Sequence, residues 1–525
     1  MIPVPERAAP NGMVAAVDHV AAEAGLAMLR AGGTAADAAV ATSAVLAVTS
    51  QHLCGMGGDL FAVVYDPAEG GVPQCLNSSG RAGSGAAALA DALRDAGHTA
   101  VPFKDHIAAV TVPGCVDGWV ALHERYGKLP FADVLAPAID YAANGFAPGF
   151  TSRLTRGVMG ALPGGDDYAA PGQLVRRRGV ATALRDIAAD GRDAFYRGAF
   201  GEGLLALGDG LYSDDDLATP QVEWTDALGV DALGHRLWTA PPNSQGYLAL
   251  AAAWILDGLS IPDDPDDPSW AHLLVEASRQ AAFDRNAVLF DGADGDALVS
   301  ASRLGPRRDA VDLFAAADIG DSYRGGGTMC MSTVDKNRMG VALIQSNASG
   351  WGSNLVEPTT RIFLQNRGMG FSLDPSHPAT MAPGQRPPHT LSPMLVTQTS
   401  GDLAIALGTM GGDSQPQVLL QLLVRMLVHG ATPSQAVAAG RFALASADPG
   451  GTGFDTWSHK GKVRVRIEAN APAAWVEGLT ERGHVVEPSP AFDHGFGHAH
   501  AITVDGELLL GGADPRSRSG AACGF

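Results

Sequence analysis

The 525-residue sequence is poor in cysteine and in positive charge. Its five cysteines are scattered, odd in number and never spaced as Cys-x-x-Cys. This argues against a disulfide framework or a cysteine-based zinc site and fits a reducing compartment. The 36 lysines and arginines are outnumbered by 56 acidic residues, which gives a net charge of −20. Because phosphate contacts need clustered cations, we expect neither nucleic acid nor an anionic membrane surface as a partner.

Long hydrophobic runs are missing as well. The apolar run at residues 35–49 is shorter than a membrane span and is interrupted by Asp37, Thr42 and Ser43, so a buried helix is predicted there. The N-terminus has no apolar signal core behind a basic start, and we expect a cytoplasmic protein. What the sequence has instead is glycine, at 66 residues, which predicts many turns and close backbone approaches.

The predicted secondary structure changes along the chain. Small and aliphatic residues recur at helical spacing over residues 17–46 with a break at Gly32-Gly33, which predicts two packed helices. Residues 100–290 are predicted to be mostly helical, with loops. The second half favours strands, with a hairpin over residues 328–346 and two later strand pairs. This order predicts sheets covered by helices.

Three glycines lead into a threonine that opens a predicted strand, in Tyr323-Arg-Gly-Gly-Gly-Thr328. Glycines adopt backbone conformations closed to other residues, so strain can be held at the Gly327–Thr328 bond. Attack by the Thr328 hydroxyl on the preceding carbonyl would give an ester that water releases. The freed α-amine, with an ordinary pKa of about 7.7–8.0, can then act as general base for the same hydroxyl. Taken alone, the pattern also fits a surface loop before a strand.

A nucleophile of this kind also needs donors for an oxyanion. Gly411 and Gly412 follow a predicted strand, and successive glycines let consecutive N–H groups point at one spot. Asn347, just past the second strand of the Thr328 hairpin, can hydrogen-bond the α-amine or the substrate. Each of these features alone also fits an ordinary turn.

Taken together and in order, these segments resemble the γ-glutamyltransferase family along essentially the whole chain. The resemblance implies an α+β fold, the four-layer αββα sandwich of N-terminal nucleophile hydrolases. It also implies a proenzyme that matures into a large subunit, residues 1–327, and a small subunit, residues 328–525. The matching segments are 22–25, 32–40, 55–58, 241–242, 327–335, 345–347, 363–375, 386–393, 408–416 and 511–516.

The resemblance assigns roles to individual residues. Thr328 matches the nucleophile, and the cleavage site lies between Gly327 and Thr328. Asn347 matches the asparagine that supports the amine, and Gly411 with Gly412 matches the oxyanion pair. No cofactor and no metal are implied.

Two other features of the sequence suggest different chemistry. His498 and His500 alternate along a predicted strand and can face one ligand, but no Asp, Glu or Cys cluster completes a metal site. Cys330 shares the predicted strand face of Thr328, so we expect it near the pocket, while the glycine run favours Thr328 as the nucleophile.

The sequence departs from the transpeptidase pattern where that family holds the glutamyl α-amine and α-carboxylate. The segment 365–371 contains no carboxylate, Ser79 and Arg81 stand near the place of the usual arginine, and His389-Thr390 replaces a serine pair. Gln345 replaces the usual threonine two residues before the asparagine. The pattern is closer to the branch that holds cephalosporin-acylase-like and oxamate-amidohydrolase-like members.

These departures indicate which chemical group the substrate-binding site can hold. A site without an anion has little reason to bind an ammonium group, whereas Arg81 and Arg367 can grip a carboxylate through paired N–H donors. We therefore expect a substrate whose acyl half carries a carboxylate but not necessarily an α-amine. Structural ion pairs are the other explanation for both arginines. The candidate substrate-binding residues are Arg81, Gln345, Arg367, His389 and Thr390.

The expected function is a self-processing threonine amidohydrolase that hydrolyses a small carboxylate-bearing amide through an acyl-enzyme on Thr328. Two alternatives stay open: a true γ-glutamyl hydrolase or transferase acting on glutathione-like substrates, and an uncleaved, inactive relative that binds a small carboxylate. The two subunits would be each other's partners, and a homo-oligomer is compatible with the sequence.

Overall fold

A computed structural model describes residues 6–149, 162, 165–167, 172–319, 328–445 and 463–525 of the chain. Within them, two seven-stranded sheets are stacked face to face, and helices cover the outer side of each. This is the predicted α+β architecture, a four-layer αββα sandwich. The glycine run before Thr328, including Gly327 of the expected cleavage site, lies outside the described residues.

The two large sheets combine strands from both ends of the chain. One sheet has the order β1-β16-β15-β11-β10-β7-β6 and the other β17-β2-β8-β9-β3-β4-β5, while β12, β13 and β14 form a smaller sheet. In chain order the strands are β1 Arg7–Ala9, β2 Gly12–Ala16, β3 Asp59–Tyr65, β4 Gln74–Ser78, β5 Glu223–Asp226, β6 Leu228–Ala232, β7 His235–Thr239, β8 Met329–Asp335, β9 Gly340–Ser346, β10 Met394–Thr397, β11 Leu403–Thr409, β12 Phe442–Ala445, β13 Arg464–Glu468, β14 Val485–Ser489, β15 Ala499–Asp505, β16 Leu508–Ala513 and β17 Ala521–Gly524.

Helices occupy most of the long connections between these strands. Among the described residues, none is long and apolar enough to cross a membrane. The α-helices are His19–Arg30, Ala35–Thr49, Ala86–Asp95, Cys115–Tyr126, Phe131–Asn144, Arg178–Asp190, Arg192–Tyr196, Ala199–Gly208, Asp214–Ala218, Tyr247–Asp257, Pro268–Ala282, Arg285–Val288, Gly295–Leu298, Ala301–Asp309, Gln415–Leu423, Pro433–Ala438 and Ala473–Glu481, with a π-helical turn at Val424–Val428.

The helix Ala35–Thr49 shows why small residues are needed in the layer over β8 and β9. All of its residues are buried. A capping box begins it, in which the Thr34 hydroxyl accepts the Asp37 N–H and the Asp37 carboxylate accepts the Thr34 N–H. Gly32 has φ +89°, which ends the preceding helix His19–Arg30. The two packed helices predicted for residues 17–46 are confirmed.

Alternation along the strands sorts side chains between the layers. On β8, Met329 and Met331 pack against the helices, whereas Cys330 and Val334 lie between the two sheets. Thr328 is even-numbered like Cys330 and therefore faces the space between the sheets.

The prediction that residues 100–290 are mostly helical, with loops, is confirmed for the described part of the segment, but it left out three short strands, β5, β6 and β7. β5 and β6 are edge strands, partly exposed and only four or five residues long. Such strands give a weak alternation pattern, which is why the sequence did not reveal them.

Candidate active site

Strand register places Thr328 in a row with Ser346 and Asp59. On β8 and β9 Met329 lies opposite Gln345, so the next pair along is Thr328 and Ser346. On β9 and β3 Ser346 lies opposite Asp59. Directly opposed residues share a face, so all three side chains point into the space between the sheets.

The first contact in this row orients the candidate nucleophile. Thr328 is 1% exposed, and its Oγ1 lies 3.2 Å from Ser346 Oγ. Ser346 Oγ also accepts the N–H of Ala348 at 2.8 Å, which holds the serine side chain in place. A serine hydroxyl has one proton and two lone pairs, so it can serve both neighbours at once.

Asn347 is held with its amide oxygen available as an acceptor. Its backbone N–H donates to the Leu53 carbonyl at 2.9 Å and its Nδ2 to the Gln51 carbonyl at 3.0 Å. The latter bond fixes which end of the amide is oxygen. Asn347 Oδ1 is buried and has no hydrogen-bond partner in the part of the chain that the structure describes. Gly58 is needed beside it, because a Cβ there would lie 2.7 Å from Oδ1.

A compact charged cluster, formed by Asp59, Arg367, His389 and Thr390, closes the far end of the row. Asp59 Oδ2 accepts from Arg367 Nε at 3.2 Å and from His389 Nε2 at 2.6 Å. Arg367 Nη1 donates to Thr390 Oγ1 at 3.2 Å. All four side chains are buried. Three of the five predicted substrate-binding residues are thus brought together, around a carboxylate that the sequence had not singled out.

The hydrogen bonds of His389 define its protonation state. The Leu391 N–H donates to His389 Nδ1 at 3.2 Å, so the ring proton sits on Nε2 and is donated to Asp59. Burial, with the Arg367 cation beside it, lowers the pKa of His389 to about 4. Burial alone would raise the pKa of Asp59, but His389 and Arg367 outweigh it and hold that pKa below its usual value. At neutral pH the cluster is therefore one anion, one cation and a neutral imidazole.

Sheet packing carries Gly411 and Gly412 toward Thr328. At one end of β11, a Cβ on Gly340 would lie 2.5 Å from Leu403, and at the other a Cβ on Gly408 would lie 3.2 Å from the Cβ of Cys330. β11 thus runs over the β8–β9 hairpin in the direction of the Thr328–Ser346 pair. The chain just beyond β11, where the glycine pair stands, reaches that end.

The glycine pair has the backbone that its predicted role requires. Gly411 has φ +135° and Gly412 φ +57°, values that other residues rarely adopt. Among the described residues, neither N–H donates to a protein acceptor. The Gln245 side chain fixes the pair from behind, with Nε2 donating to the carbonyls of Gly412 at 2.9 Å and Thr390 at 3.2 Å. The same amide therefore links the glycines to the charged cluster.

Two predicted substrate-binding residues are not part of this group. Gln345 lies on the opposite face of β9, where Nε2 donates to the Ser43 carbonyl at 2.8 Å and Oε1 accepts from Cys115 Sγ at 3.3 Å. A shift of one residue along a strand exchanges faces, and this is why Gln345 faces the helices. Arg81 is 27% exposed, and its nearest ion-pair partner is Glu223 at 3.8 Å.

Cys330 lies between the sheets, as its strand position predicted. Its Sγ donates to the His498 carbonyl at 3.3 Å, and burial raises its pKa far above the usual value. Since the thiolate is the reactive form, Cys330 is a poor nucleophile. The described residues contain no group of three or more His, Cys, Asp or Glu that could hold a metal ion.

Two members of the site were missed by sequence reasoning. Asp59 directly follows the quoted glycine motif 55–58, and Ser346 stands between two residues that had been singled out, Gln345 and Asn347. The alternation of side chains along the strands could have revealed Ser346. When the two strands of the hairpin are paired, Ser346 lies on the same face as Thr328, whereas Gln345 lies on the other.

Comparison with known proteins identifies relatives along the whole chain. A family model described as gamma-glutamyltranspeptidase matches residues 21–524. The chain is 35% identical to the glutathione hydrolase-like YwrD proenzyme of Bacillus subtilis and 35% identical to the oxamate amidohydrolase proenzyme of Klebsiella pneumoniae, in each case over 98% of both proteins. It resembles the crystal structure of cephalosporin acylase from Bacillus halodurans, with a TM-score of 0.88, 31% identity and coverage of 100% of this chain and 98% of that one.

Proposed function

This chain belongs to the γ-glutamyltranspeptidase family and is an amide-bond hydrolase of that family, and we propose that it cuts itself between Gly327 and Thr328. Two of the relatives named above are proenzymes. The cut would yield a large subunit, residues 1–327, and a small subunit, residues 328–525. The observation that carries the proposal is the position of Thr328, buried at the start of a central strand and crossed by β11, the strand that leads into the Gly411–Gly412 pair.

The freed amine completes the catalytic machinery. With an ordinary pKa of about 7.7–8.0, the α-amine of Thr328 can take the proton from its own hydroxyl as Oγ1 attacks the amide carbon. Asn347 Oδ1 is an acceptor for an N–H of that amine, which keeps the amine lone pair directed at Oγ1. The Gly411 and Gly412 N–H groups receive the negative charge on the former carbonyl oxygen. The leaving amine departs with the proton, and water later hydrolyses the Thr328 ester.

The charged cluster beside the nucleophile suits the acyl half of the substrate. We place a carboxylate of that half against the Arg367 guanidinium and the Thr390 hydroxyl, both of which are donors, with His389 fixing the orientation of Asp59. Arg81 would add a second cation nearer to solvent. Oxamate, on which one relative acts, is an amide next to a carboxylate and has this chemistry. The proposed substrate class is therefore a small monoamide of a dicarboxylic acid.

A second candidate is favoured by one observation, the Asp59 carboxylate. Segment 365–371 offers no anion for a glutamyl ammonium group, but Asp59 supplies one from another strand, and its Oδ1 has no hydrogen-bond partner within the described chain. One relative is named glutathione hydrolase-like. A γ-glutamyl substrate is thus the runner-up. It ranks second because Arg367 already offsets the Asp59 charge.

Self-cleavage is tested on a denaturing gel. We expect two bands from purified protein, the smaller one beginning at Thr328 by N-terminal sequencing. Thr328→Ala should give one uncut band and no amide hydrolysis, whereas Thr328→Ser, which keeps a hydroxyl, should be cut more slowly. A single band from both fresh and aged wild-type protein would favour an uncleaved relative that only binds a small carboxylate.

The substrate class is tested by rates on a matched panel. Cut enzyme is assayed with oxamate, with longer dicarboxylic monoamides and with a γ-glutamyl anilide. We expect kcat/KM to be highest for a monoamide and at least tenfold lower for the anilide. The reverse order would replace the first candidate by the second.

A further inference from the structure

Two buried histidines lie on the side of Thr328 away from Asp59. His498 is 1% and His500 0% exposed. None of their four ring nitrogens has a hydrogen-bond partner within the described chain. Leaving buried polar atoms unsatisfied costs free energy, so a fold that keeps two such rings together has something else to bind them.

Strand geometry aims both rings between the sheets. On β15, Ala499 and Ala501 pack against the outer helices, whereas Ile502 lies between the sheets. By alternation, His498 and His500 share the inner face with Ile502.

The register also sets how far along Thr328's strand the rings lie. His500 is opposite Gly408, the residue that packs over Cys330. The Met410 N–H donates to the His498 carbonyl at 3.2 Å, which extends the ladder and places His498 one step nearer the glycine pair. Cys330, two residues after Thr328 on the same face, donates to that same His498 carbonyl. The His498 backbone therefore lies against Cys330, two residues along the same strand face from Thr328.

The neighbouring strands show on which side of Thr328 the rings lie. A Cβ on Gly511 of β16 would lie 2.8 Å from Met13 Sδ of β2 and 3.0 Å from Ala522 of β17. β15 stands between β16 and β11 in its sheet, so it crosses above β8 and β2. Asp59 is on β3, two strands away from β8 in the opposite direction.

The chemistry of the rings restricts what they bind. Burial lowers the pKa of His498 to about 3 and that of His500 to about 4, so both are neutral at pH 7. A neutral imidazole has one donor and one acceptor. The pair carries no charge to attract an anion and has no third ligand for a metal among the described residues. Water molecules, small and both donor and acceptor, can bind all four nitrogens.

We infer that His498 and His500 hold ordered water between the sheets and that this water hydrolyses the ester on Thr328. The inference rests on the proposed acyl-enzyme. The water oxygen bonds to the acyl carbon, the bond from that carbon to Oγ1 breaks, one water proton passes to Oγ1 and the other stays on the acid product. Thr328 is thereby restored without another reactant. His498 is too weak a base to keep the proton and acts as a positioning residue.

The test measures how the acyl group is partitioned between water and an added amine. Three proteins are compared: wild type, His498→Leu and the control His494→Leu, which changes an exposed histidine of the same segment. Each receives hydroxylamine together with the substrate that wild type hydrolyses, either oxamate or the γ-glutamyl anilide. In His498→Leu we expect hydrolysis to fall at least tenfold and hydroxamate formation to stay within threefold. The acyl adduct should accumulate on the small subunit, detected by mass spectrometry.

The outcomes separate this inference from the proposed function. Equal losses of both products in His498→Leu, or an unchanged ratio, would overturn the water site while leaving the acyl-enzyme intact. A wild-type protein without a cut at Thr328 or without an acyl adduct would instead contradict the proposed function. If His498→Leu does not fold, His500→Leu is used, with the same shift in ratio expected. A crystal structure of Thr328→Ala without water density at the ring nitrogens would also overturn the inference.

Discussion

On one side of Thr328, Asp59 has Arg367 and His389 within 3.2 Å; on the other, the ring nitrogens of His498 and His500 have no hydrogen-bond partner among the described residues. Both groups are buried to the same degree and flank the same strand. The first group is a fixed arrangement of opposite charges, which orients donors for a substrate. The second is neutral and unpaired, which suits a small, exchangeable ligand. Side chains that are buried to the same degree can therefore serve two different tasks. The number of hydrogen-bond partners distinguishes the two groups.

The largest effect is expected from removing the anion on the paired side. Asp59→Asn leaves the Arg367 guanidinium buried without its counter-charge, and we expect the free energy of unfolding to fall by about 3–5 kcal/mol. The measurement is urea unfolding in the uncut Thr328→Ala background. The double change Asp59→Asn with Arg367→Gln should recover part of the loss. If the double variant is less stable than Asp59→Asn alone, the pairing is not what stabilises this side.

Acid should weaken the fold through the histidines of both sides. The folded-state pKa values of His389, His498 and His500, about 4, 3 and 4, lie below the ordinary 6.5. Their stabilising contribution is complete above pH 6.5 and is lost as pH falls toward 4, because the unfolded chain binds more protons. Each adds a slope of up to about 1.4 kcal/mol per pH unit. Urea unfolding between pH 7.5 and 4.5 measures it.

Two variants test which histidines cause this dependence of stability on pH. Replacing both of these histidines, His498→Leu with His500→Leu, should reduce the slope, because two groups with lowered pKa values are removed, while His389, His52 and His484 keep theirs. The exposed-site change His494→Leu should alter the slope much less, because His494 only adds to the burial that lowers the His498 pKa. An unaltered slope in the double variant would show that the two rings are already protonated in the fold, contrary to their neutral assignment.

A substitution at Arg81 tests whether this partly exposed arginine contacts the substrate or only forms a structural ion pair. It is 27% exposed with one weak pair, so Arg81→Gln should change stability by less than about 0.5 kcal/mol. If it grips the substrate carboxylate, KM for a monoamide should rise about tenfold, equivalent to about 1.4 kcal/mol. Steady-state kinetics on the cut enzyme measure this, with Arg236→Gln, a change at a surface ion pair, as control. An unchanged KM would assign Arg81 to a structural role.

The smallest effect is expected from the unpaired side at neutral pH. His500→Leu removes two unsatisfied ring nitrogens and leaves no partner behind, so we expect the free energy of unfolding at pH 7.5 to change by less than about 1 kcal/mol. The measurement is the same urea titration as for Asp59→Asn. A loss as large as that of Asp59→Asn would mean that the imidazole has structural partners after all.

The sequence predicted those parts of the fold that depend on local pattern. The hairpin at 328–346, the strand pairs near 395–408 and 499–511, and the helices over 17–46 all follow from alternation or helical spacing within one segment. The αββα architecture itself came from resemblance along the whole chain. Exposed edge strands, such as β5 and β6, were missed because half-solvated short strands carry little pattern.

The site was less predictable because it depends on register between distant segments. Asp59 and Ser346 are neighbours across two strands although 287 residues separate them in the sequence. Segment 365–371 contains no carboxylate, because the carboxylate of the site belongs to Asp59 on β3. Gln345 was selected by its distance from Asn347 along the chain, yet the side of the strand it occupies decides what it touches. Roles drawn from spacing therefore need the strand face as well.

Strands from both sides of the proposed cut alternate in both sheets, and this affects whether a cut molecule can refold. β1, β6 and β7 precede Thr328 and share a sheet with β10, β11, β15 and β16, which follow it; in the other sheet β8 lies between β2 and β9. A cut before Thr328 would leave two chains that cannot separate without tearing both sheets. Refolding would then change from a single-chain event to an encounter between two molecules, slower on dilution. The precursor could refold after damage, whereas the mature enzyme would, in practice, be assembled once.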